Sequence, residues 1–148
     1  MTLENWLKAG LLHKHETSPD EIKNLLGIVN RDLHDSGITE VSSDTRFKSA
    51  YNAALQASLI ALYAEGFKPV RDRTHLYGIE SLRHTIEFSA DDITELKKLQ
   101  KKRHQTNYDF AGAISPQEAD RMTKLAEIIS NKVLQWMKEE HSELMKLD

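Results

Sequence analysis

The chain contains no cysteine, which excludes disulfides, thiolate metal ligands and a cysteine nucleophile. Proline and glycine are also scarce, at three and six of 148 residues, and this disfavours a turn-rich β fold. No apolar run is long enough to cross a bilayer, and the opening MTLENWLKAGLL has an early acid and no cleavable signal pattern. We therefore expect a cytoplasmic protein with no membrane partner.

Neither sign of charge dominates the composition. Twenty Lys and Arg residues face 23 Asp and Glu residues, for a formal net charge of −3. Global charge therefore gives no reason to expect nucleic acid, and any such binding must come from a local basic patch. The length of 148 residues predicts a single domain spanning residues 1–148.

What the sequence does contain is a series of amphipathic helical patterns. The clearest runs from Arg46 to Gly66, where alanines recur at steps of three and four residues and place one small-residue stripe on a helix. Since alanine is the best helix former and few charges interrupt the segment, we predict a buried central helix. The stripe comprises Ala50, Ala53, Ala54, Ala57, Ala61 and Ala64.

Similar patterns predict further helices on both sides of the central one. Capping residues and apolar spacing place their starts near Leu3, Ser18, Thr74, Ser89 and Ser115. The first is predicted to reach residue 15, the second to end at Gly37 in a left-handed cap, and the fourth to carry Leu76, Ile79, Leu82 and Ile86. Residues 38–45, 67–73 and 111–114 are predicted loops, and residues 139–148 are expected to fray.

The predicted fold is therefore all-α, with no strand. Short connections between five to six helices favour antiparallel neighbours, and hence an up-and-down helical bundle.

The end of the fifth predicted helix has an unusual composition. Leu96, Leu99 and Arg103 follow one another on the same stripe, and Asn107 lies four residues further on. An apolar stripe that changes to arginine and asparagine indicates a polar pocket or a subunit seam, because a buried arginine needs partners.

His104 and Tyr108 form a second pair at a spacing of four, and Asp109 adds a carboxylate. Two interpretations of these residues stay open. They form either a network of ion pairs and hydrogen bonds at a helix end, or a site for phosphate supported by Lys102 and the lysines before it. Neither a phosphate-binding glycine loop nor zinc-ligand spacing is present, so we predict no metal and no cofactor.

A second region holds the remaining candidates. Arg71 and Arg73 make the predicted loop at 67–73 locally basic, which indicates either a solvated loop or a contact surface. His75 follows in the first turn of the next helix, where the dipole disfavours a positive charge. We interpret it as either a neutral packing residue or a ligand-binding residue.

Two stretches of the sequence resemble the HEPN superfamily of small helical-bundle proteins. One is AYNAALQASLIALYAEGFKP followed by His75, which is similar to the family's alanine-rich helix with a histidine soon after. The other is KRHQTNYDF at residues 102–110, which is similar to its arginine-containing motif. The resemblance covers about residues 43–140. It implies homodimers in which two arginine motifs meet at a seam, and a place in toxin–antitoxin or defence systems beside an antitoxin or a nucleotidyltransferase.

Nuclease members of that family have an arginine, often followed by a polar residue, and a histidine four to six residues further on. Arg103 and His104 match the first two elements, while Tyr108 stands where the shortest spacing would place the histidine. The resemblance assigns Arg103, His104 and Tyr108 as catalytic candidates. The candidates for ligand binding are Arg103, Lys102, Asn107, Asp109 and His75.

Three functions follow from these observations. The leading hypothesis is a HEPN-like domain that binds RNA or a nucleotide through a dimer-seam pocket around Arg103. The enzymatic alternative is a metal-independent endoribonuclease with a toxin-like role, in which Arg103 binds phosphate and His104 transfers protons. The third hypothesis is a non-catalytic protein-interaction bundle.

Overall fold

A computed structural model describes residues 2–108 and 112–146, with the backbone alone for residues 103–108. Helices dominate the described residues, which confirms the predicted all-α class. The α-helices are α1 (Leu3–Lys8), α2 (Pro19–Ser36), α3 (Ser43–Ala64), α4 (Thr74–Glu80), α5 (Leu82–Thr85), α6 (Ala90–Tyr108) and α7 (Pro116–Glu140). Two short strands, β1 (Leu12–Lys14) and β2 (Phe67–Pro69), complete the regular structure together with 3₁₀ turns at Arg71–Arg73 and Ser142–Met145.

The central helix α3 is the core element that its alanine stripe predicts. Five of the six stripe alanines are buried, and Ala64 at the end of α3 is half-buried. The helix packs most extensively against α2 and α7. It also lies close to α4, where a Cβ added at Gly78 would stand 3.2 Å from the side chains of Leu55 and Leu59. A side chain at Gly78 would therefore require the two leucines to shift by a few tenths of an ångström.

A two-stranded antiparallel ribbon, β1 paired with β2, was absent from the sequence prediction. Its register sets Leu12 opposite Pro69 and Lys14 opposite Phe67. The predicted helix over residues 3–15 is wrong because α1 ends at Lys8 and Gly10 turns the chain at a φ of 78°. The predicted loop at 67–73 is likewise wrong. Each strand buries one apolar side chain against Trp6 and Leu62 in a second small core. This side chain is Leu12 in β1 and Phe67 in β2.

The predicted helix from Thr74 to Ile86 is two short helices, α4 and α5. The chain breaks at Ser81, whose buried hydroxyl donates a 2.6 Å hydrogen bond to the carbonyl oxygen of Gly78. A hydroxyl that bonds back to the preceding turn competes with the helical pattern, which explains the interruption. Thr74 does not cap α4, since its hydroxyl donates to the carbonyl of Arg71 at 3.3 Å.

The serine caps are confirmed at four helix starts. Ser18, Ser42, Ser89 and Ser115 each accept a hydrogen bond from a backbone N–H three residues later, at 3.1 or 3.2 Å. These bonds satisfy donors that the first helical turn leaves unpaired.

Two predictions about helix ends are wrong. Gly37 has a φ of −86°, so it is no left-handed cap, and the hydroxyl of Ser36 instead donates to the carbonyl of Leu33 at 2.8 Å. Residues 139–146 do not fray, because α7 continues to Glu140 and the following 3₁₀ turn buries Leu144 against the core. No helix within the described ranges combines the length and apolarity that a membrane span requires.

Candidate functional site

Most of the predicted site residues lie outside the described part of the molecule. The structure follows the backbone of α6 through Tyr108 but does not describe the side chains of Arg103, His104, Asn107 and Tyr108, and Asp109 lies outside it altogether. What it does describe is Lys102, His75 and the contacts on both sides of this segment.

The part of α6 that precedes residue 103 follows the predicted apolar stripe. Leu96 and Leu99 are buried, whereas Lys98 and Lys101 are exposed on the other side of α6. The stripe that leads to Arg103 therefore faces the core up to Leu99, as the spacing predicts.

Lys102 is tied to the start of α7. Its ammonium lies 3.6 Å from the carboxylate of Glu118, which also accepts a 3.0 Å hydrogen bond from the backbone N–H of Ser115. The Ser115 N–H, aided by the nearby Lys102, lowers the pKa of Glu118 below its ordinary value. Glu118 of the α7 capping box thus also pairs with Lys102, the residue directly before Arg103.

On the far side, Asp44 holds the chain as it enters the connection to α7. Its carboxylate accepts hydrogen bonds from the backbone N–H groups of Gly112 at 2.6 Å and Ile114 at 3.2 Å. Gly112 has a φ of 79°, a conformation that glycine adopts without strain. The Lys102–Glu118 contact and these Asp44 contacts form two anchors, one on each side of residues 103–111.

Sequence reasoning missed the role of Asp44. Asp44 falls within the predicted loop at residues 38–45, and the sequence did not single it out. The two bonds join residues 68 and 70 positions apart in the chain, and no periodic signal reports such a pairing.

Arg46 is a further residue that the sequence did not single out. Its guanidinium donates to the carbonyl of Ser36 at 2.8 Å and to the carboxylate of Asp120 at 2.7 Å. Only 11% of its side chain is exposed, so these charge-assisted bonds satisfy a nearly buried cation. Arg46 thereby connects the ends of α2, α3 and α7 beside the Asp44 anchor.

His75 takes its position from the core. Its Nδ1 lies 3.0 Å from the hydroxyl of Tyr51, and the two rings stack at an interplanar angle of 6°. Tyr51 is fully buried in α3, while His75 is half-buried near the start of α4. The imidazole is therefore both a packing residue and a ring in a defined orientation at the edge of the fold.

The basic turn, Arg71–Arg73, precedes His75 directly. Both arginines are exposed, and neither forms an ion pair with any residue that the structure describes. Helix α4 contacts this turn at one end and packs against α6, where Glu80 accepts a 2.5 Å hydrogen bond from Lys97. The turn thus adjoins the start of α4, and the lysine-rich helix α6 contacts the end of α4.

The lysines of α6 divide into two kinds. Lys97 and Lys102 are paired with Glu80 and Glu118, respectively. Lys98 and Lys101 form no ion pair with the described residues and leave their charges to solvent. These two lysines and the arginines of the basic turn are therefore available to attract a phosphate group.

The described residues bring no group of three His, Asp or Glu side chains together in the way that a metal ion requires. The described parts of the site thus offer exposed cations and one oriented imidazole. In comparisons with known proteins, the chain matches no protein-family model. No curated protein matches it either.

Proposed function

We propose that this protein is a HEPN-like domain that binds the phosphates of RNA or of a nucleotide in a pocket around Arg103. The observation that supports this best is the contact of α4 with α6, because α4 begins at the basic turn and its last residue, Glu80, meets the lysine-rich helix. The basic turn and the oriented His75 come from one side, and the lysine-rich helix that leads to Arg103 comes from the other.

The pattern of charges supports phosphate as the ligand. Arginine binds phosphate through a planar fork of donors, and lysine contributes a point charge. Arg71, Arg73, Lys98 and Lys101 are all exposed and have no carboxylate partner among the described residues. A local patch of this kind attracts an anion although the whole chain carries a net charge of −3.

The two anchors support a defined ligand pocket. The ammonium of Lys102 lies near Glu118 of α7, and Asp44 of α3 accepts hydrogen bonds from the backbone at Gly112 and Ile114. Holding both sides of a binding segment lowers the entropy lost when a ligand binds. An up-and-down arrangement of the helices, and a homodimer in which two Arg103 segments meet at the seam, belong to the same proposal.

Metal-independent endoribonuclease activity is the second candidate. Arg103 supplies the cation for the developing phosphorane charge, and His104 supplies proton transfer because its ordinary pKa lies near neutrality. Tyr108 is a poor base at pH 7, since an unperturbed tyrosine has a pKa of about 10, yet it can donate a hydrogen bond or stack on a base. We therefore expect binding with weak or no cleavage, within a toxin–antitoxin or defence system that supplies an antitoxin or nucleotidyltransferase partner.

A binding titration tests the proposal. A labelled single-stranded RNA is titrated with the wild-type chain, with Arg103→Ala, and with Lys124→Ala as the control at an exposed lysine of α7. We expect Arg103→Ala to weaken binding about tenfold or more, and Lys124→Ala to leave it unchanged. Binding that Arg103→Ala does not alter would remove the site and leave the non-catalytic interaction bundle as the function.

The same RNA, incubated without metal, separates binding from catalysis. Cleavage by the wild type that His104→Ala abolishes would establish the endoribonuclease. Tyr108→His restores the family's residue at that position, and a gain of cleavage would identify Tyr108 as the reason for weak activity. Sedimentation above micromolar concentration tests the dimer, and a pure monomer there would contradict the seam.

A further inference from the structure

A groove separate from the Arg103 region lies between the chain after α5 and the outer face of α7. It has a volume of about 500 Å³, which is within the range of sites that take small molecules or single side chains. Thr85, Ile86 and Glu87 form one wall, and the last turns of α7 form the other. None of these residues takes part in the proposed phosphate site.

The α7 wall presents an indole ring. Trp136 is half-buried, and the imidazole of His141 packs against it at a centroid distance of 4.9 Å and a tilt of 59°. Trp136 lines the groove on the α7 wall, and Ile86 lines it on the other wall. A large aromatic surface held in place beside open space is suited to stacking against a flat ligand group.

Charge determines which ligand fits. Three carboxylates line the groove, from Glu87, Glu139 and Glu140, against the single ammonium of Lys132. That ammonium lies 5.4 Å from the centre of the Phe88 ring, where a cation–π contact engages it. Gln135 donates a 2.6 Å hydrogen bond to Glu139, whereas Glu87 and Glu140 have no ion-pair partner among the described residues.

The placement of these acids is unfavourable for the chain alone. Glu139 and Glu140 end α7, where the helix dipole disfavours negative charge. Glu87 is exposed on the opposite wall of the groove. A cation in the groove would compensate the charge of all three carboxylates.

We propose that this groove binds an arginine side chain presented by a basic segment of a partner protein. The guanidinium plane stacks on Trp136, its fork of donors reaches the carboxylates, and its methylene stem lies along Ile86. Arginine fits better than lysine or a polyamine because only the guanidinium is both planar and bidentate. This inference does not depend on RNA binding at Arg103.

The test follows the two indole N–H signals of the wild-type chain by NMR, with Trp136→Phe used to assign them. The probe is the blocked tripeptide acetyl-Gly-Arg-Gly-amide, and the matched probes carry Lys or Glu in place of Arg. We expect a saturable shift of the Trp136 signal with the Arg peptide, a several-fold weaker response with the Lys peptide, and none with the Glu peptide. The signal of Trp6, buried in the other small core, should not move.

Removing carboxylate charges from the groove provides a second test of the proposal. Glu139→Gln with Glu140→Gln should weaken the Arg peptide about tenfold, while Glu127→Gln on the exposed side of α7 should not alter its binding. No saturable shift up to millimolar Arg peptide, or equal binding by the Glu peptide, would overturn the proposal. Spermidine that binds more tightly than the Arg peptide would overturn the choice of a protein partner.

Discussion

Helix α3 and the connection from α6 to α7 are held in opposite ways. Apolar contacts surround α3 on most sides, and its buried alanines allow its neighbours to approach closely. The connection instead depends on a few polar contacts, namely the Asp44 hydrogen bonds and the Lys102–Glu118 pair. Screening by salt weakens contacts between exposed charges but not apolar packing, and acid weakens the contacts of Glu118, whose pKa is lowered in the folded state. The proposed site is thus attached to a rigid core by contacts that solution conditions can weaken.

The largest effect is expected from overpacking α3. Ala57 is 1% exposed, so Ala57→Leu forces a larger side chain into a filled core and should cost about 1–3 kcal/mol of unfolding free energy. Thermal denaturation measures the change, with Ala90→Leu at an exposed position as the control. An unchanged midpoint for Ala57→Leu would mean that the alanine stripe does not face the core.

Removing the Asp44 anchor should have the next largest effect. Asp44→Ala leaves two backbone donors without their acceptor and should lower stability by about 1–2 kcal/mol. Asp44→Asn keeps an oxygen acceptor and should recover part of the loss. Asp91→Ala, in the first turn of α6, controls for the helix dipole alone.

If Asp44→Ala and Asp91→Ala destabilise the chain equally, Asp44 acts only through the dipole. Of the two anchors, only the Lys102–Glu118 pair would then remain.

Acid should weaken the ribbon side of the molecule before it weakens the contacts of Glu118. Burial lowers the pKa of His84, whose ring meets Trp6 edge-on at 5.0 Å, and the N-terminal charge and Arg83 add to the shift. A histidine pKa that is lower in the folded state means that protonation favours unfolding. Its stability contribution is therefore complete above about pH 6.5 and is lost as the pH falls through 6.5 toward the lowered folded value.

Chemical denaturation at pH 7.5 and 5.5 measures this loss. His84→Phe keeps the aromatic contact without a titrating group, so its stability should change less between the two pH values. The Glu118 and Glu95 carboxylates have lowered pKa values, the latter through its hydrogen bond from Arg121, and their contribution is lost only below about pH 4.5. A wild type and His84→Phe that respond identically would exclude His84 as the sensor.

The smallest effect concerns the Lys102–Glu118 pair. Both side chains are partly exposed, so Lys102→Met should cost no more than about 0.5 kcal/mol at low salt. Molar salt screens the pair and should remove the difference between the wild type and the variant. A larger, salt-independent loss would show that the lysine stem contributes by packing.

The difference between the packed helix α3 and the connection from α6 to α7 also explains what could be predicted from the sequence. The alanine stripe of α3 and the serine caps are local patterns, and local periodicity determines them. The ribbon was missed because each of its strands has only three residues, too few to show an alternating pattern. Gly37 misled the prediction because Ser36 closes α2 with its own hydroxyl.

Around the candidate site, the separation of contacting residues along the chain limits what the sequence can predict. The spacing that links Leu96, Leu99 and Arg103 is visible in the sequence, and its buried part is confirmed at the two leucines. The Asp44, Arg46 and Tyr51 contacts each join residues far apart in the chain, so no local pattern could reveal them. The assignments at His104, Asn107, Tyr108 and Asp109 stay predictions.

The ribbon also implies an order of folding. Strand β1 precedes α2 and strand β2 follows α3, so the two strands meet only after those helices have docked and returned the chain to its starting side. Contacts between distant segments carry a loop-closure cost that earlier local contacts reduce. The ribbon should therefore form late and open first, with its amide hydrogens exchanging faster than those of α3 under native conditions.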